Sequence, residues 1–102
     1  MTTISPFVKI SDFTNIQHGA NICHHTTIGS FCNIAPGCNI AGYCTIKNNT
    51  VIGIGANILD NIIIGNNVVI GAGSVVTKNV PDNSVYYGVP AKFIRPNKKA
   101  ED

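Results

Sequence analysis

The stretch NICHHTTIGSFCNIAPGCNIAGYCTI, Asn21 to Ile46, carries an isoleucine on every sixth position: Ile22, Ile28, Ile34, Ile40 and Ile46. Working outward, the beat extends without a miss to Ile16, Ile10 and Ile4 on one side. On the other it runs through Ile52, Ile58, Ile64 and Ile70 to Val76. A helix repeats its apolar face every 3.6 residues and a simple strand every 2, so neither produces this pattern. A fixed six-residue period is the mark of a repeat architecture, the parallel β-helix.

A second column follows each beat by four residues: Val8, Thr14, Ala20, Thr26, Cys32, Cys38, Cys44, Thr50, Ala56, Ile62, Val68, Ser74 and Val80. All are small or branched and none is charged. One large and one small inward residue per hexad fits a side and a corner of a triangle. Three hexads then close one coil of 18 residues, and thirteen hexads make about four coils. Gly29, Gly53, Gly65 and Gly71 follow the beat, and Asn15, Asn21, Asn33, Asn39 and Asn57 precede it. As residues that tolerate left-handed backbone, they are expected at the corners.

The same arithmetic gives columns. A residue 18 further along lies on the next rung, about 4.8 Å away. His24 therefore falls between Pro6 and Gly42, with Asp60 beyond, and His25 between Phe7 and Tyr43. His18 heads a column of Pro36, Ile54 and Ala72, and Phe13 stacks on Phe31.

Length and composition narrow the function classes. A chain of 102 residues is one domain, and a net charge of +2 with 12% charged residues gives no footprint for nucleic acid. No basic flank with a following apolar run marks a signal peptide, and polar residues interrupt every apolar stretch, so no membrane segment and a cytoplasmic location are expected. Cys32, Cys38 and Cys44 share the inward column on successive sides, without a CxxC pair, and read as small buried hydrophobes rather than zinc ligands or disulfides. Cys23 lies off the column.

Residues 1–80 form the coil domain, and 81–102 a C-terminal closing segment and charged tail of the same domain. Pro81 in the PDNS turn is expected to end the ladder. Val85 to Ile94 reads as a closing extended segment broken at Pro90, and Asn97 to Asp102 as a disordered tail. A slender prism with open ends and flat outer faces is expected to be an obligate oligomer.

All three histidines, His18, His24 and His25, lie within eight residues. They read as solvent-facing polar residues, metal ligands or a general base. His18 and His24, one hexad apart, fall on different sides, which argues against convergence on a metal within one chain. The stretch IGAGSVV, Ile70 to Val76, with the following VPDNSVYYGVPAK, offers backbone N–H groups to a ligand or simply turns corners.

The hexad repeat, IGAGSVV and GVPAK together resemble the hexapeptide-repeat acyltransferases, and CHHTTIGSFCNIAPG, Cys23 to Gly37, is similar to the sugar O- and N-acetyltransferases of the sialic acid and bacillosamine type. The resemblance implies a left-handed parallel β-helix and a homotrimer with acetyl-CoA as co-substrate in the cleft between copies. The acceptor it implies is a hydroxyl or amine of a small molecule, a sugar above all. It makes His24 the catalytic base, with His25 where the family has a carboxylate. It places Gly42 and Asn33 near the acetyl group, Ile54 and Ala72 along the pantetheine arm, and Lys92, with Arg95 nearby, toward the CoA phosphates. The family's sugar-modifying members carry an α/β domain ahead of the β-helix. No such domain is expected here, so either the acceptor is smaller, or the trimer alone holds it, or the chain is a reduced version of the enzyme. Two other functions fit the fold: a non-catalytic or degenerate CoA-binding scaffold, and a metal-dependent hydratase resembling the γ-class carbonic anhydrases.

Overall fold

The structure, a computed structural model, describes residues 1–98. Among these there is no helix. Two-residue strands fall on each beat and stack in three parallel sheets, the faces of a triangular prism. Face I stacks Thr3–Ile4, Asn21–Ile22, Asn39–Ile40, Asn57–Ile58 and Val75–Val76. Face II stacks Lys9–Ile10, Thr27–Ile28, Thr45–Ile46 and Ile63–Ile64. Face III stacks Asn15–Ile16, Asn33–Ile34, Val51–Ile52 and Val69–Ile70. Every pairing is offset by 18 residues, as the hexad arithmetic predicts.

The isoleucines of the beat from Ile22 to Ile70 are buried, and Val76 closes the column. The expectation of thirteen buried aliphatics fails at the first coil. Ile4 is 49% exposed and Ile10 36%, because no rung lies beneath them. The second column is buried from Ala20 onward. Its chemistry has a specific cause. Thr26 and Thr50 donate their hydroxyls, and Cys32, Cys38 and Cys44 their thiols, to the carbonyl fifteen residues on: Ala41, Gly65, Lys47, Gly53 and Leu59. Those carbonyls stand at the corner of the next rung, where only Gly53 has a second donor, the Ala56 N–H at 3.1 Å, and a buried carbonyl left unpaired costs about 1–3 kcal/mol. Burial pushes all three thiols above the ordinary cysteine value, against smaller opposing contributions from backbone hydrogen bonds, so they stay in the donating form at neutral pH. Cys44→Ala, which removes the thiol from the Leu59 carbonyl, is expected to cost about 1–3 kcal/mol in urea unfolding and Cys44→Thr, which keeps a donor, less than half of that. Equal costs would show that the thiol only fills space.

The corners correct the sequence reading. Left-handed backbone falls three residues after each beat, not at the glycines and asparagines beside it. At edge I/II the residues are Phe7, His25, Tyr43 and Asn61, and at edge II/III Phe13, Phe31, Asn49 and Asn67. At edge III/I all four are glycine: Gly19, Gly37, Gly55 and Gly73. The asparagines before the beat lie in strands and form amide ladders, Asn21 donating to Asn39 at 2.8 Å and Asn39 to Asn57 at 3.0 Å. The glycines after the beat are there for room. A Cβ on Gly53 would lie 2.6 Å from the Ile70 carbonyl oxygen.

Pro81 does not end the stack. Val80 bridges Ile64 in parallel, and Ser84–Gly88 continues face III with Val85 opposite Val69. The turn can carry a proline because it sits at a corner. There the Ser84 hydroxyl takes up the Pro81 carbonyl at 2.6 Å, and Asp82 Oδ1 accepts from the Asn66 N–H at 2.7 Å. The solenoid thus has about five turns, one more than expected. Ser84–Gly88 then pairs antiparallel with Ala91–Pro96 around Pro90. Asn97 is anchored rather than disordered: its N–H reaches the Asn83 carbonyl at 2.9 Å and its amide the Asn67 carbonyl at 3.1 Å. Residues 99–102 of the expected tail lie outside the described residues.

Candidate active site

Edge I/II brings the histidine pair to the surface. The Tyr43 N–H donates to the His24 carbonyl at 3.0 Å, and the Asn61 N–H to the Gly42 carbonyl at 3.1 Å, so His24 and Gly42 are rung-to-rung neighbours. The His24 ring leans over Gly42. A Cβ there would meet His24 Cε1 at 2.8 Å and each ring nitrogen at 3.2 Å. Gly42 itself is buried, while His24 and His25 are exposed.

His25 lies in a stack of three rings. Phe7 covers one face at 5.0 Å between centroids, and Tyr43 the other at 4.8 Å, nearly parallel. Tyr43 also meets the His24 ring edge-on at 5.3 Å. His24 Nδ1 and His25 Nδ1 are 3.2 Å apart. Tyr43 and Phe7 are thus part of the site's wall, although only their column with His25 was evident from the 18-residue spacing. Phe13 stacks on Phe31 at 5.1 Å on the next edge.

The other candidate residues are not brought to His24 within one chain. Ile54 and Ala72 do share a column, with the Gly73 N–H donating to the Ile54 carbonyl at 2.8 Å, but it runs along edge III/I. His18 is on that edge too, its carbonyl accepting from the Gly37 N–H at 3.1 Å. Asn33 is in face III, where its Oδ1 accepts from Gln17 Nε2 at 2.9 Å and from Asn15 Nδ2 at 3.2 Å. Lys92 is in the hairpin opposite Tyr87, exposed, with Arg95 three residues on. The cause is the triangle itself: residues whose separation departs from a multiple of 18 by a hexad or more fall on different edges or faces. Among the described residues, no three His, Cys, Asp or Glu side chains come together as a metal site.

Edge III/I alone has glycine at all four left-handed corners. A Cβ on Gly55 or Gly73 would meet nothing within 4 Å, and Ile54 is 62% exposed beside them. Left-handed backbone alone does not demand glycine here, since the other edges hold it with Phe, Tyr, His and Asn.

Residues 43–78 match the bacterial transferase hexapeptide (six repeats) family. The match covers 36 of the 102 residues. The acetyltransferase domain of PglB from Neisseria gonorrhoeae, solved with acetyl coenzyme A, superposes with a TM-score of 0.85 at 26% identity, over 91% of this chain and 54% of that one. PerB from Caulobacter crescentus, solved with CoA and GDP-perosamine, gives 0.76 at 25% identity over 92% and 54%. A serine acetyltransferase solved with cysteine gives 0.91 at 30% identity over 97% and 42%. The chain therefore spans about half the length of the first two. No curated protein matches the sequence.

Proposed function

We propose that this chain is an acetyl-CoA-dependent acetyltransferase that acts on a hydroxyl or amine of a small acceptor, a sugar by preference, as a homotrimer in the cytoplasm. The observation that carries the reading is an exposed imidazole, His24, poised over a rung position with no side chain, Gly42. Acetyl transfer needs a base within reach of the acceptor proton and open space beside it for a thioester. The likeness to acetyltransferases solved with acetyl coenzyme A and with CoA supports the donor.

The chemistry falls to His24. Its Nε2 takes the proton from the acceptor O–H or N–H as that atom attacks the thioester carbonyl carbon. The carbon–sulfur bond then breaks, and the same proton passes from Nε2 to the departing CoA sulfur. Acetyl-CoA supplies the activated acyl carbon; binding, orientation and proton transfer belong to the chain.

The split geometry supports the trimer. Edge III/I offers a smooth glycine-lined strip, with Ile54 and Ala72, that suits an extended pantetheine arm. His24 is on edge I/II, across face I, so an arm on one copy meets the base of another. Edge-to-edge contacts of unlike surfaces close into a ring when the rotation allows. Lys92 and Arg95 are the cations we assign to the CoA phosphates. Asn33, whose Oδ1 is tied to Gln17, is the residue we assign to the acetyl group.

Calorimetry with acetyl-CoA and an acetyl-transfer assay over a panel of amino and hydroxy sugars test this reading. Gly42→Ala is the informative variant. Its methyl must push the His24 ring aside, and displacement of a catalytic group by about 1 Å costs on the order of 10²-fold in rate. Full activity in Gly42→Ala, or no acetyl-CoA binding by the unaltered chain, overturns the proposal.

A further inference from the structure

We propose that His24 and His25 form a proton-sharing dyad in which His25 is a positioning residue: His24 Nδ1–H donates to His25 Nδ1, which directs the His24 lone pair to Nε2. The inference rests on the acetyltransferase reading above for the direction of the bond, and on the geometry for its existence.

Two ring nitrogens 3.2 Å apart hold one proton between them. Two N–H groups aimed at one another repel, and so do two lone pairs. In the neutral pair the bridging proton therefore sits on one Nδ1, and the ring that carries it has its lone pair at Nε2. With the proton on His24 Nδ1, Nε2 keeps its lone pair and can act as the base, on a ring that leans over Gly42. With the proton on His25, Nε2 carries an N–H and His24 is no base.

The stack makes His25 suited to this work. Phe7 and Tyr43 flank its plane from both sides, with interplanar angles of 17° and 3°, so the ring is held in the plane in which Nδ1 meets His24. When His24 Nε2 takes up the acceptor's proton, the pair becomes a single cation with three protons, one on each Nε2 and one on the bridge. The charge is then shared with a ring that lies between two aromatic faces at 5.0 and 4.8 Å, within the range where such faces attract a cation. An imidazole in an aromatic sandwich thereby does what an anionic partner does elsewhere: it fixes the tautomer and stabilises the protonated base.

The test uses His25→Phe and His25→Asn. Both keep the corner intact, since Phe7, Phe13, Phe31 and Asn61 hold the same left-handed backbone. Phenylalanine preserves the stack and removes the acceptor, whereas Asn places an oxygen close to where Nδ1 stood. In the unaltered chain, nitrogen-15 spectra of labelled histidine are expected to show His24 protonated at Nδ1 and His25 unprotonated there. In His25→Phe, His24 is expected to move to the Nε2–H tautomer. The kcat for acetyl transfer should fall on the order of 10²-fold, with KM for acetyl-CoA within about twofold. His25→Asn is expected to recover kcat to within about tenfold of the unaltered chain. An Nε2–H tautomer of His24 in the unaltered chain, or an undiminished kcat in His25→Phe, overturns the dyad. The predicted tautomers without acetyl transfer would uphold the dyad and overturn the acetyltransferase reading instead.

Discussion

His24→Ala is expected to lower acetyl transfer by about 10²- to 10⁴-fold, the range a positioned general base contributes, while leaving the solenoid folded. The separation of the two effects follows from where the residue's bonds lie. The contact that holds its rung to the next is the Tyr43 N–H on the His24 carbonyl, which a side-chain change leaves in place. The imidazole is exposed and packs only edge-on against Tyr43 and His25. Circular dichroism and the urea midpoint should therefore match the unaltered chain. Affinity for acetyl-CoA should hold within about threefold by calorimetry, since the loss falls on the proton-transfer step. Turnover that survives the substitution would remove His24 from the chemistry, whatever its geometry suggests.

Gly53→Ala is expected to be the most damaging single-methyl change in the fold, and Gly55→Asn, two residues away, among the mildest. The added Cβ at residue 53 would stand 2.6 Å from the Ile70 oxygen, 2.7 Å from the Ala72 nitrogen and 2.8 Å from the Gly71 carbonyl carbon. All three are backbone atoms of the rung above, so no rotamer can yield and the two rungs must separate. Such overpacking costs about 3 kcal/mol or more, a fall in melting temperature on the order of 10–20 °C for a chain of this size. Gly55 has φ of +67° with nothing within 4 Å of its Cβ direction. Asn holds φ of 58° to 60° at residues 49 and 61 in equivalent corners, so Gly55→Asn should cost under about 1 kcal/mol. Comparable losses at the two positions would show that glycine serves one purpose throughout. Thermal and urea unfolding of the two variants decide it.

The contrast explains why the glycines were misread as corners. Gly29, Gly53, Gly65 and Gly71 are spaced as regularly as corner residues would be, but their property in use is the missing Cβ, not the freedom of φ. The true corners carry Phe7, Phe13, Phe31 and Tyr43, which no composition rule assigns to left-handed backbone. They are held there because stacking against the ring one rung away offsets the strain. Pro81 misled for a similar reason. A missing N–H ends a strand, but at a corner it interrupts no ladder, and Val80 and Val85 carry the stack past it.

What the sequence determined by itself was everything that repeats. The hexad of branched aliphatics fixed three faces and an 18-residue rung, and that spacing alone made His24 the neighbour of Gly42, His25 of Phe7 and Tyr43, and Ile54 of Ala72. A period is a one-dimensional property, and a solenoid turns it directly into position along an axis. Only the tertiary structure decided what lies around that axis. How the His24 ring leans, and that two imidazole nitrogens meet at 3.2 Å, depend on the angle at which each corner turns. That angle is set by packing between rungs, which no residue carries alone.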